Sequence, residues 1–150
     1  MIHQHTHIQI HSLLCGSPQF ILDKLQRVHN SAARLVMKSC KCDHVQPLFQ
    51  NFHWSPVCSR TDYKISTLCF NTFTISSPVY ITQPLSIYTP SRHLRLSSDT
   101  LTLCIPSFGQ RAFSITGPTQ RNLLPYGLQH SKSSPAFKTA LKTHLFRSAY

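Results

Sequence analysis

The chain has 150 residues, of which 41% are hydrophobic and only 13% charged, where about 25% is usual. Fifteen Lys and Arg stand against four acids, all aspartate, for a net charge of +11. The length suits one domain with its own core, the basic excess favours polyanions such as nucleic acid, and no apolar run reaches the ~18 residues of a membrane span.

The N-terminus, MIHQHTHIQIHSLLCGSPQF, lacks a basic n-region and a long apolar h-region, so secretion is not expected. The six cysteines then read as free thiols of a reducing compartment, cytoplasmic or nuclear. Residues 1–16 carry His3, His5, His7 and His11 in a polar, low-complexity stretch. Such tracts hold transition metals weakly, and His-Thr-His is also how a CA-dinucleotide repeat translates. This segment is expected to be disordered, and residues 17–150 to form one domain.

Order is expected from Ser17, a good N-cap with Pro18 at the first helical position. Ile21, Leu22, Leu25, Val28, Ala32, Leu35 and Val36 fall within one arc, roughly 140° wide, of a 3.6-residue helix. Lys24, Arg27, Arg34 and Lys38 occupy a separate arc roughly 80° wide. That basic stripe is either a phosphate-tracking surface or a solvated face. Asp43-His44 is expected to cap the turn into a following short helix.

Ser-Pro recurs as a helix-start signal. Ser55-Pro56 opens a helix weakened by β-branched Thr61, Ile65, Thr67 and Thr72, and SSPVYI (76–81) opens a short one. Residues 88–100 read as loop. LTLCIP (101–106) and RAFSIT (111–116), joined by Ser107–Gln110, predict a small β hairpin. PTQRNLLPYG is expected to be a turn or short helix bounded by Pro118 and Pro125. Ser134-Pro135 opens a last helix with Ala136, Phe137, Ala140, Leu141, His144 and Leu145 on one face, and Lys138 and Lys142 one turn apart beside it. Phe146 falls off that face. The expected fold is mostly α with a small β hairpin: an irregular α+β domain, open to being incomplete.

Catalytic signals are absent. There is no GxSxG elbow, no P-loop and no GxGxxG, with only four glycines, and Asp23, Asp43, Asp62 and Asp99 are isolated in sequence. CKCDH gives Cys40, Cys42 and His44 a CxCxH spacing. A structural zinc needs four ligands, commonly two pairs, and nothing marks His29 or Cys58 as the fourth.

From Leu25 onward a series of motifs runs in order: LQRVHNSAARLV (25–36), DHVQPLFQNFHWSPV (43–57), YKI (63–65), SPVYI (77–81), YTPSRHLR (88–95), GQRAFSITGP (109–118), NLLP (122–125) and FKTALKTHLF (137–146). In these, over about 120 residues, the chain resembles the C-terminal region of LINE-type, jockey-like non-LTR retrotransposon polyproteins, the part that follows the reverse transcriptase domain. It departs at Arg121, where the family often has Trp before its NLLP-like motif, at Leu96, which interrupts an LR-S motif, and at 71–76, which lack the usual Gly.

The resemblance implies a fragment of an RNA-directed DNA polymerase polyprotein without its polymerase and endonuclease catalytic regions. No two acids here are adjacent, as that family's Tyr-Ala-Asp-Asp motif requires. The expected function is therefore non-catalytic, without cofactor, metal or small-molecule substrate and with no membrane partner. Weak, non-specific RNA or DNA binding would use Lys24, Arg27, Arg34, Lys38, Lys138 and Lys142. Two alternatives stand beside it: a zinc-dependent interaction module using Cys40, Cys42 and His44, and a reading frame without selected function.

Overall fold

A computed structural model describes residues 14–75, 82, 85–89, 102–107 and 113–150. Among them lie six named helices: α1 (Gln19–Met37), α2 (Val45–Phe52), α3 (Val57–Ile75), α4 (Phe113–Leu123), α5 (Tyr126–Gln129) and α6 (Ser134–Ala149). Residues 1–13, the SSPVYI segment and residues 90–100 of the expected loop lie outside the described residues. Leu14–Gly16 form a turn.

The helices start one residue away from where the Ser-Pro signals place them. At α1 the boundary residue is Pro18, with φ −56° and ψ 144°, and no side chain caps the helix. The Pro18 carbonyl accepts the Ile21 N–H at 3.0 Å, so Pro18 takes the boundary and Ser17 lies one residue before the capping position. The last helix is bounded by Ser133, with Pro135 in its first turn. Ser134 Oγ instead donates to Asn71 Oδ1 at 3.0 Å, tying α6 to α3. Asp43 does not cap α2: its Oδ2 accepts the Cys40 N–H at 2.8 Å and closes the preceding turn, while His44 bounds α2 without a side-chain bond.

Few glycines are present to end helices, so other residues adopt the left-handed conformation that favours glycine. Lys38 (φ 51°) ends α1 and His53 (φ 52°) ends α2. Their amides, and those of Ser39 and Trp54, satisfy the last carbonyls of each helix.

Helix α3 is central, packed against α1, α4 and α6. Its buried faces carry Thr61, Thr67 and Thr72. A buried hydroxyl without a partner costs about 1–3 kcal/mol. Each of these hydroxyls donates to the carbonyl four residues back, at 3.1, 2.7 and 2.8 Å. That back-bonding lets a β-branched, polar sequence form the central helix.

Against α3 a cluster of Phe70, Leu124, Leu128, Phe137 and Leu141 forms the core, with Tyr63 and Leu145 packed on it. Phe70 and Phe137 stack at 4.1 Å with an 8° interplanar angle. Each fully buried side chain of this size contributes about 1.5–3 kcal/mol. The face expected of α6 thus docks through Phe137, Leu141 and Leu145, while Ala136 and Ala140 stay exposed. Phe146 packs off that face against His53 and Tyr150.

The β hairpin expected from 101–106 and 111–116 does not form. Residues 113–116 open α4, which contains Pro118 and buries Gly117, Pro118 and Arg121. Packing against α3 overrides the local β preference of the Phe-Ser-Ile-Thr run, as tertiary context commonly does. Leu103 pairs instead with Ile87 in an isolated antiparallel bridge. The Asn122 amide then grips the Leu103 backbone on both sides, Oδ1 accepting its N–H and Nδ2 donating to its C=O, each at 3.0 Å. One side chain satisfies the two groups that a neighbouring strand would have paired.

The docking of α1 also departs from its apolar pattern. Ala33 is fully buried, yet Val28, Leu35 and Val36 are 68%, 81% and 59% exposed. Polar contacts set the rotation of the helix. Gln26 Oε1 accepts the Val57 N–H at 2.9 Å, capping α3 from another element. The His29 ring stacks on Trp54 at 5.2 Å and on Phe49 at 4.8 Å. Gln26, His29 and Ala33 share one face at i, i+3, i+7 spacing, roughly a quarter turn from the centre of the apolar arc.

Candidate nucleic-acid interface

Helices α3 and α6 run antiparallel. Trp54, just before α3, meets Tyr150, just after α6, through a 2.7 Å hydrogen bond from the phenol to the Trp54 carbonyl. Asn71 meets Ser134 at the opposite end. Between the two pinned ends lies an open groove of about 550 Å³. Its walls carry four cations, Arg60 and Lys64 from α3 and Lys138 and Lys142 from α6. Each pair has i, i+4 spacing, about 6 Å along its helix. Tyr63 and Leu145, which also pack on the core, make an apolar floor, and Trp54 stands at one end.

No carboxylate lines the groove among the described residues. Burial holds the Lys64 ammonium below its ordinary pKa, and repulsion from Lys138 adds to the effect. An anion entering between them offsets the repulsion. Arg60 is already engaged: Nε donates to the Ser55 carbonyl at 2.9 Å and Nη2 meets His29 Nε2 at 2.8 Å. A guanidinium has no acceptor, so His29 Nε2 must accept and its ring is neutral in this contact. Burial lowers the Arg60 pKa, opposed by Tyr150. Lys138 and Lys142 are exposed and Lys64 half-buried, which leaves three ammonium groups at the groove.

The six cations expected to contact phosphate divide between two places. Lys138 and Lys142 line the groove, whereas Lys24, Arg27, Arg34 and Lys38 do not. Lys24 lies 5.6 Å over the Phe20 ring, Arg34 Nη2 donates to the Asp43 carbonyl at 3.2 Å, and Lys38 is the left-handed end of α1. Arg60 and Lys64 are absent from the sequence-based set. Their spacing in SRTDYKI, the same as that of Lys138 and Lys142, is the signal that could have found them.

The cysteine motif does not close into a metal centre. Among the described residues no group of three or more His, Cys, Asp or Glu is placed to hold a metal ion. Cys40 and Cys42 are exposed free thiols. Cys69 is buried, and desolvation pushes its thiol up to about 11, opposed by Arg121. No helix among the described residues is long and apolar enough to cross a membrane.

Compared with known proteins, the chain matches no family model, no curated sequence and no solved structure.

Proposed function

We propose that the chain is a non-catalytic nucleic-acid-binding fragment of the kind that follows the reverse transcriptase domain in LINE-type polyproteins, binding RNA or DNA without sequence preference. The observation that carries the binding is the α3–α6 groove, with four cations and, among the described residues, no carboxylate on its walls. The origin rests on the eight ordered motifs from Leu25 to Phe146.

Several of those motifs have structural work in the fold. Asn122 of NLLP grips Leu103, His29 of LQRVHNSAARLV stacks on Trp54, and Phe137 of the last motif centres the core. Arg121, which stands where the family often has Trp, remains a departure from the motif although it is 6% exposed.

Titration of the purified chain with mixed-sequence RNA and DNA at several salt concentrations tests the binding. Log K should fall linearly with log salt, with a slope of about −0.7 per neutralised phosphate on a single strand. Absence of binding at low salt, or a flat salt response, refutes it. Reverse transcriptase coding sequence directly upstream of this reading frame would establish the origin.

A further inference from the structure

We infer that the α3–α6 groove takes a single nucleic-acid strand, not a duplex, with phosphates on Lys64, Lys138 and Lys142 and a base against the apolar floor. This rests on the nucleic-acid reading above and names the form of the ligand.

Width is the first argument. The two helices pack on each other, and packed helices lie about 8–10 Å apart, so the groove along their contact is narrow. A duplex, whose major groove alone is about 12 Å wide, is too broad to enter. It would meet only the rim lysines, and a flat external patch would serve it as well. A cavity of about 550 Å³ is of the size that holds small organic molecules, and it accommodates one base with its sugar.

Chemistry is the second argument. A site for phosphate alone needs cations and no apolar surface. Here the cations stand on both walls while the space between them is floored by Tyr63 and Leu145 and ended by Trp54. Cations that track a backbone, beside aromatic surface that accepts any base, are the combination that binds single strands without sequence preference. Arg60 is tied to Ser55 and His29, so the phosphate contacts fall to Lys64, Lys138 and Lys142, which also line the groove.

Trp54 is the only tryptophan and lines one end of the groove, so a base entering there should change its emission. The experiment compares oligothymidylate, the same strand annealed to oligoadenylate, and long-chain inorganic polyphosphate by anisotropy and by Trp54 fluorescence. The single strand should bind about tenfold or more tighter than the duplex and change Trp54 emission, while polyphosphate binds without that change. Lys138→Glu with Lys142→Glu, both at exposed positions, should abolish the preference. Lys24→Glu with Lys38→Glu, outside the groove, should leave it intact.

Equal affinity for duplex and single strand, or the same emission change with polyphosphate, overturns the inference and leaves polyanion binding standing. No binding of any of the three overturns both.

Discussion

The Tyr150 hydroxyl donates a 2.7 Å hydrogen bond to the carbonyl of Trp54, 96 residues earlier in the chain. The contact ties the end of α6 to the turn between α2 and α3 and pins the end of the groove where Trp54 stands. Tyr150→Phe keeps the ring against Phe146 and removes the donor, so it should cost about 1 kcal/mol in urea unfolding. The bond also has a pH signature. Burial raises the Tyr150 pKa above its ordinary value, opposed by Arg60. Its stabilising contribution is therefore fully present below about pH 10 and is lost as pH rises through the higher folded value. Tyr150→Phe should flatten the alkaline limb of the stability profile.

Charge reversal separates the two basic regions. Lys64→Glu with Lys138→Glu should weaken RNA and DNA binding. On a single strand it should reduce the salt slope by about 0.7 for each phosphate no longer neutralised. Arg27→Glu with Lys38→Glu, which changes net charge equally, should have a smaller effect at the same ionic strength. Equal effects would show that overall charge, and not the groove, governs binding. Salt-dependent anisotropy titrations measure the difference.

Arg121 is a buried cation with little to hold it. Its Nη2 reaches the Gln129 carbonyl at 3.4 Å and its guanidinium lies 4.9 Å from the Phe73 ring centroid, while Nε has no hydrogen-bond partner among the described residues. Burial lowers its pKa, opposed by Cys69. Taking a charge out of water costs several kcal/mol unless good geometry and hydrogen bonds repay it, and an apolar side chain of similar volume avoids that cost. Arg121→Met should accordingly raise the denaturation midpoint. A clear drop in stability would show that the interaction with Phe73 outweighs the desolvation.

The rotation of α1 predicts opposite responses on its two faces. Val28→Lys and Leu35→Gln alter exposed positions, and each should change stability by no more than about 0.5 kcal/mol. Together they should raise solubility, because they break a contiguous apolar stripe. Ala33→Leu places a larger side chain where none of the surface is exposed and should cost about 1–3 kcal/mol. Thermal unfolding and light scattering of the three variants measure both effects.

Residues 17–150 show how far local pattern reaches. The helices α1, α3 and α6 are legible because periodicity and the Ser-Pro pairs mark them, with starts displaced by a residue where the proline itself takes the boundary. Lys138 and Lys142 are legible as a basic pair beside an apolar face. The β hairpin is a false expectation because the Phe113–Thr116 run has strand-forming residues, and only its packing against α3 makes it helical. The exposed side of α1 escapes pattern for a related reason. An apolar arc reports which face gains most by burial, whereas docking is decided jointly with the partner surface, where Gln26 and His29 have specific donors and rings to meet.

By itself the sequence determined the mostly helical class, the basic charge and the lack of adjacent carboxylates, because these depend on residue identity and short-range spacing. Only the tertiary structure decided that Arg60 and Lys64 face Lys138 and Lys142 across one groove, that Cys40 and Cys42 remain exposed thiols, and that α1 leaves Val28, Leu35 and Val36 exposed. Each of these depends on contacts between residues far apart in the chain, such as Gln26 with Val57 and Trp54 with Tyr150. Such contacts leave no periodic trace in the sequence.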